Sequence, residues 1–243
     1  MKRIIELIAF MAVYLIVLSC NKSSSGLISP ASVNIVNAIA TSKPLIPIFG
    51  TNGSIRYFAS AQTVGYGSSF LYSPLSGPNS LYIVQNSGVD TLLTDPKLLM
   101  FNGTLNLTAS AIYSFFLAGD TTKPDTVFTQ DNVPPYYSDS SAGARFINLS
   151  PNSQPLSVNI EGNSNGSEVS SLPYKSISSF KKYAATSSIV GKHYLFVIRD
   201  QAGDSLTSYP WSYTLFKNNT LVIAGYEDST GSKALKVFPV NNF

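Results

Sequence analysis

The chain has 243 residues, with 16 basic and 13 acidic side chains and a formal charge of +3 at pH 7. Charged residues make up only 12%, about half the usual share, so nothing points to a nucleic-acid partner or a basic membrane-binding face. One cysteine and one histidine allow no internal disulfide and leave too few soft ligands for a zinc site. Ser, Thr, Asn, Tyr and Phe stand where charges usually do, a composition that favours strands and polar turns, and no stretch carries apolar residues at helical spacing.

In chain order, Lys2 and Arg3 precede an unbroken apolar run, Leu7 to Leu18. At 12 residues it has the length of a signal-peptide core and is too short for a spanning helix, which needs about 20. The run ends at Val17-Leu18-Ser19-Cys20, which resembles a bacterial lipobox: an aliphatic residue three before the cysteine and a small one just before it. The resemblance implies a signal peptide over 1–19, cleavage before Cys20 and two or three acyl chains on the new terminus. Each buried methylene adds about 0.8 kcal/mol of membrane affinity, so several chains anchor where one would not. The membrane is thus an expected partner through Cys20. An Asp after the cysteine resembles inner-membrane retention signals, and Asn21 stands there instead, which points to the outer membrane. Residues 20–30 (CNKSSSGLISP) read as the lipidated cysteine and a flexible tether of small polar residues.

Short strands follow. In the first half they are expected over Ser32–Asn37, Leu45–Phe49, Ile55–Phe58, Ser80–Gln85, Thr104–Leu107, Ile112–Leu117 and Thr126–Thr129. Turns are expected at Thr51-Asn52-Gly53, Ser76-Gly77-Pro78, Asn86-Ser87-Gly88 and Phe101-Asn102-Gly103. VGYGSSF (Val64 to Phe70) reads as a Gly-rich loop. The segment Asp131–Gly143 (DNVPPYYSDSSAG) has little strand character and marks a boundary near residue 137. Beyond it, strands are expected over Ala144–Leu149, Leu156–Ile160, His193–Arg199, Trp211–Phe216, Thr220–Ala224 and Ala234–Phe238. Their turns are Glu161-Gly162-Asn163, Gln201-Ala202-Gly203 and Ser229-Thr230-Gly231. Strands and turns at such short spacing suggest a sandwich.

The halves echo each other. ASVNIVNA begins at Ala31 and AGARFINL at Ala142, with Asn37 and Asn148 in the same place; SFFLAGD (Ser114 to Asp120) parallels TLVIAGYED (Thr220 to Asp228). The offsets, 111 residues for the asparagines and 106 for Ala118 and Ala224, are nearly equal and suggest two copies of one unit. The stretch AGARFINLSPNSQPLSVNI (Ala142 to Ile160), with Arg145, Asn148, Ser150-Pro151-Asn152 and Val158-Asn159-Ile160, resembles the opening of the domain of unknown function 4397. The strands Tyr213–Asp228 and Tyr113–Gly119 resemble later strands of that family. The resemblance implies tandem Ig-like sandwiches, exported and often lipid-anchored, with no catalytic residue to carry over. The first copy opens without the Arg and the Ser-Pro. Read from the residues alone, Arg145 is placed to pair with a carboxylate across the sheet, and Asn148 to satisfy loop backbone groups.

Chemistry is sparse. His193 stands alone at a strand edge, and there is no phosphate-cradling loop. The acid pairs Asp120/Asp125, Asp200/Asp204 and Glu227/Asp228 sit in turns and offer two carboxylates each where calcium wants six to eight oxygens. The aromatics, 14 Tyr, 14 Phe and one Trp, are the remaining candidates. Those placed in turns and loops are Tyr66, Phe70, Tyr72, Tyr136, Tyr137, Tyr174, Tyr183, Tyr209 and Trp211. Tyr136 and Tyr137, beside the boundary, are singled out as ligand contacts, and Trp211 as the plug of a core end. The expectation is an all-β chain of two tandem Ig-like antiparallel sandwiches, over 31–137 and 138–243, without cofactor or metal. Its expected role is non-enzymatic: a cell-envelope lipoprotein whose partner is a glycan or an envelope protein. The alternative, an envelope hydrolase, requires acids converging in one cleft.

Overall fold

The computed structural model describes residues 29–50, 56–57, 61–86, 88, 91–92, 98–185 and 193–242. The chain is all-β. The first half holds β1 (Ser32–Asn37), β2 (Leu45–Phe49), β3 (Arg56–Tyr57), β4 (Ser68–Tyr72), β5 (Gly77–Gln85), β6 (Thr91–Leu92), β7 (Leu99–Leu107), β8 (Ile112–Gly119) and β9 (Pro124–Gln130). The second holds β10 (Ala142–Leu149), β11 (Leu156–Ile160), β12 (Val169–Leu172), β13 (Lys181–Tyr183), β14 (Tyr194–Arg199), β15 (Ser205–Trp211), β16 (Asn218–Ala224) and β17 (Lys236–Asn241). Among the described residues no helix is long and apolar enough to cross a membrane.

Each half pairs a four-stranded sheet with a second sheet. The four-stranded orders are β4-β1-β8-β9 and β13-β10-β16-β17, facing β2-β5-β7 and β12-β11-β14-β15 respectively. The two four-stranded orders match strand for strand. In both, the opening strand runs parallel to the strand before last: Ile35 opposes Phe115, and Phe146 opposes Leu221. The expected sandwiches are therefore antiparallel except for one parallel pair each. These paired strands close the sheet between the two ends of the half, which a hairpin cannot do.

Several sequence expectations are corrected. Phe101-Asn102-Gly103 is no turn but the middle of β7, where Gly103 opposes Leu81. Ser76-Gly77-Pro78 does not break the chain either, since Gly77 and Pro78 begin β5. The loop assigned to Val64–Phe70 ends early: Ser68 to Phe70 pair with β1 as part of β4. A strand over Trp211–Phe216 is displaced, because β15 ends at Trp211 and the chain then turns, with Phe216 at φ 65°. β15 carries Pro210 and hides its strand character, but it is an edge strand, where a missing N–H costs no ladder bond. Thr51-Asn52-Gly53, together with Ile55 and Phe58 of the expected strand over Ile55–Phe58, lies outside the described residues.

The side chains form three main cores. One, inside the first half, packs Val33, Ile35, Leu81, Ile83, Phe115 and Leu117. Another, inside the second, packs Phe146, Val158, Phe196, Trp211, Leu221 and Ile223. The third belongs to neither: Val36, Ala38, Phe116 and Ala118 meet Ile147, Leu149, Val222, Ala224, Phe238 and Val240. The two four-stranded sheets thus pack back to back, making four layers. Their central strands are covered on both faces, so β10 and β16 are buried at every residue, the polar Arg145, Asn148, Asn218 and Asn219 included.

A polar chain crosses this seam. Asp131, just after β9, accepts a 2.6 Å bond from Ser114 Oγ and a 2.6 Å charged bond from Arg145 Nη2. Arg145 Nε donates to Thr220 Oγ1 at 2.8 Å, which donates on to Asn242 Oδ1 at 2.6 Å. The carboxylate that pairs with Arg145 therefore comes from the first half, not from across its own sheet. Both charges are buried, and each is satisfied by further bonds, as a buried pair must be.

The two asparagines of the repeat do the same work twice. Asn148 Oδ1 accepts from Ser150 N at 3.0 Å, while Nδ2 donates to Leu172 O and Ser153 Oγ, both at 3.0 Å. Asn37 Oδ1 accepts from Ile39 N at 3.0 Å, while Nδ2 donates to Val64 O at 3.1 Å and Ser42 Oγ at 3.0 Å. Each side chain substitutes for a missing neighbouring strand where the chain leaves the sheet.

Candidate functional site

The seam opens into a cleft at each end. The first, of about 480 Å³, is lined by Asn34, Ser69, Phe70, Leu71, Thr214, Lys217, Asn218 and Asn241. The pattern along β1 creates it. Val36 faces the seam core, and Asn34, two residues earlier on the same face, begins its polar edge. Leu71 sits opposite Asn34 on β4, and Phe70 stands at the sheet's margin against Tyr72, ring centroids 5.0 Å apart.

The amides of this cleft are fixed by bonds from both halves. Asn34 Nδ2 donates to Asn241 O at 3.2 Å, and among the described residues no group donates to its Oδ1. Asn241 Oδ1 accepts from Asn219 Nδ2 at 2.8 Å, and Asn219 Oδ1 from the buried Trp211 Nε1 at 3.1 Å. Asn218 Nδ2 donates to Pro134 O at 3.1 Å; its Oδ1 is buried without a hydrogen-bond partner. That oxygen lies over Gly143, where any Cβ would collide with it. Of the lining side chains, Phe70 and Leu71 are apolar and 39% and 41% exposed; Leu215 and Phe216, which lie in the chain between the lining residues Thr214 and Lys217, are 39% and 38% exposed. A bulky residue at positive φ, as Phe216 is, is uncommon and clusters where surrounding structure imposes it.

The second cleft, also about 480 Å³, lies at the far end, among Gly119, Asp120, Lys123, Pro124, Asp125, Pro151, Asn152, Tyr174 and Tyr226. It brings two acids together, but both are held ionised. Bonds from Thr122 and Lys123 push Asp120 below the usual carboxylate range. Burial pulls Asp125 up, yet the bonds from Lys175 and Thr126 outweigh it and leave its pKa lowered. Acid catalysis on a glycosidic bond needs a carboxyl whose pKa is raised, and neither fits that role. Tyr174, beside both acids, is pushed up to about 12 by burial and by Asp125.

The singled-out tyrosines part company. Among the exposed large hydrophobic side chains of the described residues Tyr136 is the most exposed, at 66%, and it stands beside the first cleft, with Lys217 Nζ 5.4 Å from its ring centroid. Tyr137 is half-buried, its hydroxyl above Gly143 and Lys182 5.5 Å from its ring. Tyr183 and Trp211 belong to the second core, where they meet edge to face at 5.4 Å. Tyr66 lies in the seam under Lys236, whose Nζ is 3.8 Å from the ring centroid. His193 is exposed. Among the described residues no three His, Cys, Asp or Glu side chains come together as metal ligands. The cleft amides escaped the sequence reading because they meet only in the fold: 207 residues separate Asn34 from Asn241. The one local signal was an asparagine inside an otherwise apolar strand.

No family model matches the chain, and no curated protein matches it. Solved structures similar to it include CBMbc, a family 26 carbohydrate-binding module from Eubacterium rectale Amy13K in complex with maltoheptaose. That pair is 11% identical, covering 84% of this chain and 99% of that one, with a TM-score of 0.25. Another is a family 41 carbohydrate-binding module from streptococcal virulence factors, 12% identical over 86% of this chain and 96% of that one, also with a TM-score of 0.25.

Proposed function

We propose that the chain is a non-enzymatic cell-envelope lipoprotein, anchored through Cys20 at the outer membrane, that binds a saccharide in the cleft between Asn34, Asn218 and Asn241. The observation that carries this reading is a floor of prepositioned amides, the buried Asn34 and Asn218 and the exposed Asn241, beside the apolar lining side chains Phe70 and Leu71 and the lining cation Lys217. An amide offers a donor and an acceptor side by side, which matches the paired hydroxyls of a sugar. An apolar rim covers the C–H face of the ring, and fixed groups spare the ordering cost of binding. Membership of the domain of unknown function 4397 family, argued from Ala142–Ile160, accords with such a role.

Two measurements test it. In the cell that makes it, the chain should take up radiolabelled palmitate, and Cys20→Ser should abolish the label. Purified in detergent and screened against neutral oligosaccharides, it should bind at least one. Asn34→Ala should then weaken binding about tenfold, the worth of one hydrogen bond of roughly 1.4 kcal/mol. Binding untouched by both Asn34→Ala and Phe70→Ala would place the ligand elsewhere. Protease treatment of intact cells would tell whether the sandwiches face outward or the periplasm.

A further inference from the structure

The first cleft and the attachment of the chain to its N-terminal segment lie at the same end of the molecule. Ser29 O accepts from Ser76 N at 3.2 Å, and Pro30 bridges to Leu75. From Pro30 to Asn34 is four residues of extended chain, about 13 Å. Asn218, at the start of β16, and Asn241, at the end of β17, close the cleft from the same end. Cys20 precedes Ser29 by nine residues, which cannot reach beyond about 30 Å however they are arranged. A lipid on Cys20 would therefore hold this cleft within about 45 Å of the bilayer.

The rim fits that position. Two apolar lining side chains, Phe70 and Leu71, are each more than a third exposed beside a floor that is polar, and Leu215 and Phe216, equally exposed, fall in the chain between the lining residues Thr214 and Lys217. Beside them stand Lys217 and Tyr136, a cation and an aromatic hydroxyl of the kinds that settle at a bilayer's headgroup level. A free sugar uses the floor and one apolar wall; it leaves the remaining rim in water. An amphiphile uses both.

We propose that the occupant of this cleft is the sugar headgroup of a glycolipid lying in the same membrane that holds Cys20, with Phe70, Leu71, Leu215 and Phe216 resting against the first carbons of its acyl chains. This rests on the saccharide reading of the cleft and on lipidation at Cys20, and it narrows the ligand from any glycan to a membrane-borne one.

The test uses the full lipidated chain carrying Phe216→Trp, reconstituted in vesicles of phosphatidylcholine with brominated acyl chains, with or without diglucosyl diacylglycerol. Trp211 is buried and serves as the unquenched background. The expected result is quenching of the new tryptophan that is several-fold stronger with the glycolipid and is lost when Asn34→Ala is added. Equal quenching with and without glycolipid would overturn the proposal, since the rim would then touch lipid without reading a headgroup. No quenching in either vesicle, with a soluble glucose disaccharide still bound by the same protein in equilibrium dialysis, would also overturn it while leaving the saccharide reading intact. Failure of both glycolipid and oligosaccharides to bind would remove both readings. Phe216→Ser gives an independent arm: it should keep disaccharide binding within twofold and lose most of the preference for glycolipid vesicles, and an unchanged preference would count against the proposal.

Discussion

The interior of the second sandwich and the seam between the sandwiches are built on the same strands, β10 and β16, and differ in what they admit. On the inward faces Phe146, Leu221 and Ile223 meet Phe196 and Trp211 in an apolar core. On the other faces the middle is equally apolar, but toward the ends stand Arg145, Thr220, Asn218 and, from the first half, Asp131 and Asn34. A strand alternates its side chains, so one face can be spent wholly on packing while the other grades from core to polar edge. The two clefts thus open at the ends of the seam, where packing runs out.

If the seam is a core in its own right, Phe116→Ala should destabilise the protein as much as Phe196→Ala, each by about 3–5 kcal/mol in denaturant unfolding. A loss under 1 kcal/mol for Phe116 alone would make the seam a loose contact. Asp131→Ala should cost about the same, roughly 3–5 kcal/mol, because it strands the buried Arg145; replacing both partners together by apolar residues should recover most of that. Smaller, and the same in both halves, should be Asn37→Ala and Asn148→Ala. Each leaves buried backbone groups unpaired and should cost about 1–3 kcal/mol. Unequal costs would mean that the two loops share geometry without sharing importance.

Titration separates the regions further. Burial pushes Tyr66, in the seam, and Tyr72, beside the first cleft, up to about 12 from a usual 10. Burial and the bond to Glu168 raise Tyr183 in the second core as well. With the folded pKa above the unfolded one, the unfolded state holds fewer protons above pH 10, so stability is full below that value and falls as pH climbs toward 12. A pH series of melting temperatures should show this, and Tyr66→Phe should lessen the slope. The smallest effect is expected at the rim of the far cleft. Lys175→Ala breaks a half-exposed 2.7 Å pair with Asp125 and should cost at most about 1 kcal/mol, less in high salt.

The all-β class was legible because alternation and turn residues are local properties; β1 and β11 were placed to the residue. The echo of Asn37 and Asn148 was visible too, and its full form is an asparagine followed five residues later by a serine, Ser42 or Ser153. β4 was missed because Gly65 and Gly67 disguise its start, and β15 because Pro210 argues against a strand until its edge position is known. The partner of Arg145 was not legible at all. Asp131 lies in a segment without strand pattern, and only the stacking of two sheets brings it within reach. The clefts share that origin, since their walls come from residues that no local pattern links.

The parallel pair in each half has a consequence for how the chain is made. β1 cannot gain its parallel neighbour until β8 has been synthesised, nor β10 until β16, so each inner sheet is completed late. Once the first sandwich has closed, Val36, Ala38, Phe116 and Ala118 still face water until roughly a hundred further residues emerge to cover them. For that interval the nascent protein displays a sticky apolar wall, the kind of surface that draws aggregation or a chaperone. A ribosome stalled after the first half should therefore hold a product that is folded yet insoluble on release.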